Sequence, residues 1–63
     1  MKYLFTAITW HGELNEWAET TVELSRLEWN DINVRGGDAF TKETLEKLPP
    51  QNTWTGFKME SKP

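Results

Sequence analysis

The stretch KYLFTAITWHGELNEWAETTVEL (residues 2–24) decides the fold of this chain, because it reads as two strands joined by a loop. Over residues 2–10, Tyr3, Phe5 and Ala7 alternate with Leu4, Thr6, Ile8 and Trp10. Successive side chains of a strand point to opposite faces. Apolar groups in both sets therefore describe a central strand, covered on both sides or covered on one and sticky on the other. Residues 11–15 (HGELN) hold a glycine and an asparagine and read as a hairpin loop. Over residues 16–24, Ala18, Thr20, Val22 and Leu24 share one face, and Trp17, Glu19, Thr21 and Glu23 share the other. The threonines and the valine favour strand over helix here.

Two registers fit this hairpin. With a five-residue loop, Leu4, Ile8 and Trp10 share a face with Val22, Ala18 and Glu16. With a loop one residue longer, Tyr3 and Phe5 join Leu24 and Val22, and Trp10 and Trp17 face each other outside. A one-residue slip exchanges the faces entirely, and both faces are apolar enough to accept it.

Working outward, Ser25-Arg26-Leu27-Glu28 has capping-box spacing, a serine followed three residues later by a glutamate. Leu27, Trp29, Ile32 and Val34 then follow neither the helical nor the strand period. Residues 25–35 are read as a short helical turn or an irregular segment. Gly36-Gly37-Asp38 reads as a turn. Residues 42–48 read as a helix, with Thr41 as N-cap, Phe40 stapled onto Leu45, and Leu45 and Leu48 as its buried stripe. Pro49-Pro50 ends it. Residues 53–60 (TWTGFKME) read as a third strand, with Thr55, Phe57 and Met59 facing in and Trp54 and Lys58 facing out. Residues 61–63 read as a frayed tail.

The expected architecture is a single α+β domain over residues 1–63. An N-terminal β-hairpin and a C-terminal strand make a three-stranded sheet of order 3-1-2, and one short helix packs on one face. No repeat or linker interrupts it.

A chain of 63 residues without cysteine has neither disulfides nor thiolate metal ligands to hold it together. A lone histidine builds no imidazole metal site either. The lack of cysteine fits a reducing compartment. Residues 1–10 are too short and too interrupted by threonine for a signal h-region or a membrane span, so a cytoplasmic protein with no membrane partner is expected. The net charge is -3, and it is unevenly spread. Glu13, Glu16, Glu19, Glu23, Glu28 and Asp31 lie near a single Arg26, and most lysines come later. Direct nucleic-acid binding is disfavoured, since phosphate contacts need clustered Lys and Arg. A basic protein surface suits the acidic segment better.

Catalytic constellations are missing from the pattern. His11 falls beside Gly12 in the expected loop and reads as a solvated turn residue. Asp31-Ile32-Asn33-Val34-Arg35-Gly36 resembles the opening of a calcium loop. Arg35, however, occupies a ligand position, and Lys42 stands where the closing glutamate belongs. Gly36-Gly37 beside Arg35 has no phosphate-loop spacing. A small sheet also offers little concave volume in which to desolvate a carboxylate. No enzyme activity, metal or cofactor is expected.

The four tryptophans are the informative feature, because so small a core cannot enclose them all. Tryptophan is enriched at binding hot spots, where it buries a large area and keeps one donor. Trp10, Trp17 and Trp29, with Glu19 and Glu23, are the candidate partner-binding residues, and Trp54 is a candidate cover for the sheet. In size and composition the chain resembles the small, acidic, cysteine-free, aromatic-rich proteins that phages encode to inhibit host or defence machinery. That resemblance implies an inhibitor or regulator that masks a basic site, such as a nucleic-acid-binding one, on a larger protein. The alternative expectation is a homodimeric accessory protein that self-associates through its sheet edge or its aromatic face.

Overall fold

Asn15 takes up the left-handed conformation, at φ 53°, and its amide donates to the Gly12 carbonyl at 3.3 Å. Asparagine tolerates that region better than most residues, so the reversal falls here. In this computed structural model, which describes residues 1–63, the loop spans 12–15. It separates strand β1 (Lys2–His11) from strand β2 (Glu16–Leu24). The loop is thus shorter than either expected length, because His11 and Glu16 are the last ladder pair.

The register is the one that pairs Tyr3 with Leu24, Phe5 with Val22 and Trp10 with Trp17. Strand β3 (Trp54–Lys62) runs antiparallel to β1 on its other side, giving the order β2-β1-β3. The expected α+β sheet and its strand order are as observed. The tail expected to fray is instead part of the ladder, since Ser61 and Lys62 pair with Tyr3 and Lys2.

The segment 25–35 corrects the sequence reading. It forms helix α1 (Arg26–Arg35), the longer of two helices, with the Ser25 hydroxyl accepting from the Glu28 amide at 3.1 Å. Leu27 and Val34 blurred the helical period because both point to solvent, while Ile32 is buried and Trp29 half-buried. The capping box is only half made. The Glu28 carboxylate does not return to Ser25 but accepts from the Thr41 amide at 3.0 Å and from the Thr44 hydroxyl at 3.0 Å. It therefore ties the start of α1 to the start of helix α2 (Lys42–Glu46). Gly36 ends α1 at φ 78° and ψ -151°, its amide donating to the Ile32 carbonyl, a positive-φ conformation that glycine adopts without a Cβ clash.

In α2, Thr41 caps as expected by accepting from the Thr44 amide at 3.3 Å. The buried stripe is different. Thr44 and Leu48 are buried, whereas Leu45 is only half-buried and stands outside the core cluster. The short turn Gln51–Thr53 follows the two prolines and leads into β3.

Both helices lie on the face carrying Tyr3, Phe5, Ala7 and Thr9. The core there is Phe5, Ala7, Leu24, Ile32 and Leu48, with Tyr3, Val22, Trp29, Phe40, Trp54 and Met59 packed around it. Trp54 was expected to face out. A bulge opposite Ile8 and Thr9 skips Thr55 and pairs Trp54 with Thr9, which returns the indole to the face of Phe57 and Met59. Its ring meets Phe5 and Phe40 at 5.3 and 5.5 Å, and its Nε1 donates to the Pro49 carbonyl at 2.9 Å. Thr55, expected to face in, is exposed, and its hydroxyl donates to the Ile8 carbonyl at 3.1 Å.

Candidate functional site: the open sheet face

Because the helices take one face, the other is left open. It is built from alternate residues of all three strands. Leu4, Thr6, Ile8 and Trp10 come from β1, Trp17, Glu19, Thr21 and Glu23 from β2, and Gly56, Lys58 and Glu60 from β3. Four of the five candidate residues, Trp10, Trp17, Glu19 and Glu23, meet here.

At the hairpin end, the Trp10 and Trp17 rings pack edge to face with centroids 4.8 Å apart. Edge-to-face contact matches the positive rim of one ring to the negative face of the other, so the pair holds a defined shape. It is not buried: Trp10 is 44% and Trp17 61% exposed. Further along, Thr6 and Thr21 hydroxyls lie 2.9 Å apart and stiffen the middle of the face. Leu4 is half-buried between Glu23 and Glu60, and Ile8 is half-buried between Glu19 and Gly56.

The charges divide the face. Glu19 reaches diagonally over β1 to Lys58 Nζ at 3.1 Å. Glu23 has no cationic partner, and Glu60 is held by Lys62 at 3.6 Å. The β2 side is therefore acidic beside the tryptophan pair, and the β3 side carries lysines. Lys58 had been read as outward but not as the partner of Glu19. The pair is invisible in sequence, since it depends on two ladder registers meeting across β1.

Trp29, the fifth candidate, stands elsewhere. It lies on α1 against Tyr3, with ring centroids at 5.6 Å, on the helix-covered side. It was grouped with Trp10 and Trp17 by its nearness to the acidic hairpin in sequence, and α1 carries it away from them.

The helix side also holds more concave volume than expected. An apolar groove of about 390 Å³ opens among Phe5, Ile32, Phe40, Trp54, Phe57 and Met59. That is within the usual range for a binding cleft. Its polar lining is Asn33, Gly36, Gly37 and Gln51, with no titratable side chain. Phe57 stacks on Phe5 at 5.6 Å yet remains 62% exposed.

The calcium-like stretch Asp31–Gly36 lies on α1 and its cap rather than in a loop, so its carboxylate and amide groups do not converge. No group of three or more His, Cys, Asp and Glu side chains is arranged to hold a metal. His11 ends β1 and is exposed. No helix is long and apolar enough to cross a membrane. No family model, no curated protein sequence and no solved structure matches the chain.

Proposed function

We propose that this chain is a small, non-enzymatic protein-binding module that works in the cytoplasm and docks through its open sheet face onto a basic surface of a larger protein. The exposed Trp10–Trp17 pair supports this most directly. Two indoles held at a fixed angle in solvent present a large apolar area at little conformational cost, as hot-spot anchors do. Glu19 and Glu23 share that face and supply the rim charge that steers a cationic partner into place. The role is that of an inhibitor or regulator of the phage-encoded kind, masking a basic site on a host or defence protein.

The test compares the wild-type chain with Trp17→Ala as baits in lysate of a candidate host, and then measures binding kinetics for any recovered protein. The expected result is a partner with a Lys- or Arg-rich surface, bound by the wild type and lost by the variant. Equal recovery by both baits would move the interface off this face.

A further inference from the structure

The two outer strands of the sheet differ in whether they can pair with themselves. Strands β2 and β3 are both edges, and no backbone group elsewhere in the chain bonds to the outer side of either. Strand β2 carries Glu16, Glu19 and Glu23 and no lysine or arginine. Pairing of β2 with another β2 therefore gathers acids along one edge and gains no opposite-charge contact between the two strands, which protects that edge. Strand β3 alternates Lys58, Glu60 and Lys62 on the open face.

We propose that two copies of this chain associate through β3, antiparallel, about a twofold axis at Met59. In that register Lys58 of each copy lies opposite Glu60 of the other, so two opposite-charge pairs form on the open face. An axis at Ser61 also makes two opposite-charge pairs, Glu60 with Lys62, but it aligns only residues 59–63 and leaves Phe57 uncovered. An axis at Lys58 sets lysine against lysine, and an axis at Phe57 sets Lys58 against Gly56. On the helix side, the Met59 axis puts the two methionines side by side, and each Phe57 lies diagonal to the partner copy's methionine. The exposed flank of the apolar groove, where Phe57 is 62% exposed, is thereby covered.

The contact is isologous and closes on itself, giving a six-stranded sheet rather than a growing chain. Both copies of the Trp10–Trp17 pair then lie on one side of that sheet. An edge contact from Gly56 to Lys62 is smaller than a standard interface of roughly 1,200–2,000 Å². The dimer is accordingly weak and concentration-dependent.

The inference does not rest on the proposed partner-binding role, and its test needs no partner. Sedimentation of the full chain up to about 1 mM, where even a weak association of this class shows, should give a mass rising from one chain to two. Lys58→Glu and Glu60→Lys each set like charges across the axis, and each should remain monomeric. An equimolar mixture of the two variants restores both opposite-charge pairs and should return to the doubled mass. Glu60→Lys leaves the Glu19–Lys58 pair intact, so it reads the edge even if Lys58→Glu weakens the fold. Met59→Cys in this otherwise cysteine-free chain reports the register. Directly opposed Cα atoms about 4.5–5.5 Å apart fall within disulfide reach, so oxidation should link the copies faster than in Phe57→Cys. A wild type that stays monomeric throughout overturns the proposal. So do variants that dimerise as the wild type does, or a mass that climbs past two, which would mean head-to-tail pairing of β3 with β2.

Discussion

The two faces of the β1 strand carry similar apolar content and meet opposite fates. Tyr3, Phe5 and Ala7 lie under the helices, and Phe5 and Ala7 are essentially sealed from solvent. Leu4, Ile8 and Trp10 look outward with only strand neighbours to cover them. The difference comes from the flanking strands rather than from β1 itself. Val22 and Leu24 on one side and Phe57 and Met59 on the other line up with Tyr3, Phe5 and Ala7, whereas Glu19, Glu23, Lys58 and Glu60 line up with Leu4, Thr6 and Ile8. Burying charged neighbours is far costlier than exposing an isoleucine, so the flanks choose the core face for the centre. The open face is left with more apolar surface than it needs for folding, and that surplus is what makes it a binding candidate.

Substitutions on the two faces should separate them, and the largest effect belongs to Phe5→Ala. Phe5 is 1% exposed and touches Phe40, Trp54 and Phe57, so truncation removes transfer energy and leaves a cavity at the centre of the core. We expect a loss of about 3–5 kcal/mol, comparable to the total stability of a small domain. Ile8→Ala on the half-buried open face should cost less than half of that. Urea denaturation of the two variants decides it. Equal losses would mean that both faces are core and that no surface is free to bind.

A second pair tests the helix side. Leu48 is buried in the core, and Leu45 is half-buried outside it. Leu48→Ala should therefore cost about 2–4 kcal/mol, and Leu45→Ala about 1 kcal/mol. Thermal melts that reversed this order would put the second helix in a different rotation from the one described.

The elements legible in sequence were those whose residues obey one period. The hairpin, the Trp17–Glu19–Glu23 face, the third strand and the Thr41 cap all follow from alternation or capping chemistry. What escaped has specific causes. The first helix was hidden because Leu27 and Val34 point to solvent, leaving the buried Ile32 and the half-buried Trp29 as its only inward apolar positions. Trp54 was assigned to the wrong face because a bulge at Thr55 resets the alternation, and a bulge carries no composition signal here. Trp29 was grouped with Trp10 and Trp17 by nearness in sequence, although α1 carries it to the other side of the sheet. The register depended on whether the loop had an odd or even number of residues. Asn15, through its left-handed conformation, set that parity.

Among the open-face residues, Trp17→Ala should split stability from binding. Its contact with Trp10 is exposed, so the fold should lose about 0.5–1.5 kcal/mol, the worth of one aromatic pair. Binding to a partner should lose at least about 2 kcal/mol if the indole is an anchor. Calorimetric melting and titration on the same preparation give both numbers. A variant that loses stability and binding in equal measure would make the indole a structural residue of the hairpin.

The smallest effect is expected at the charges, and it distinguishes Glu19 from Glu23. Glu19 is already engaged by Lys58 at 3.1 Å, with both side chains more than half exposed. Such a pair is worth only about 0.2–1 kcal/mol, because water and salt screen it and two long side chains must be held still. A double-mutant cycle with Glu19→Gln and Lys58→Met should find a coupling in that range, vanishing at high salt. Glu23 has no such partner, so its charge is free to act on an approaching cationic surface. Glu23→Lys should accordingly leave stability unchanged, slow association with a basic partner and flatten its salt dependence, while dissociation stays the same. Glu19→Lys should do less to association than Glu23→Lys, since part of its field is already neutralised by Lys58. Stopped-flow association at two ionic strengths ranks them. If both variants slow association equally, the Lys58 contact is not maintained in solution, and the whole acidic side of the face acts as one rim.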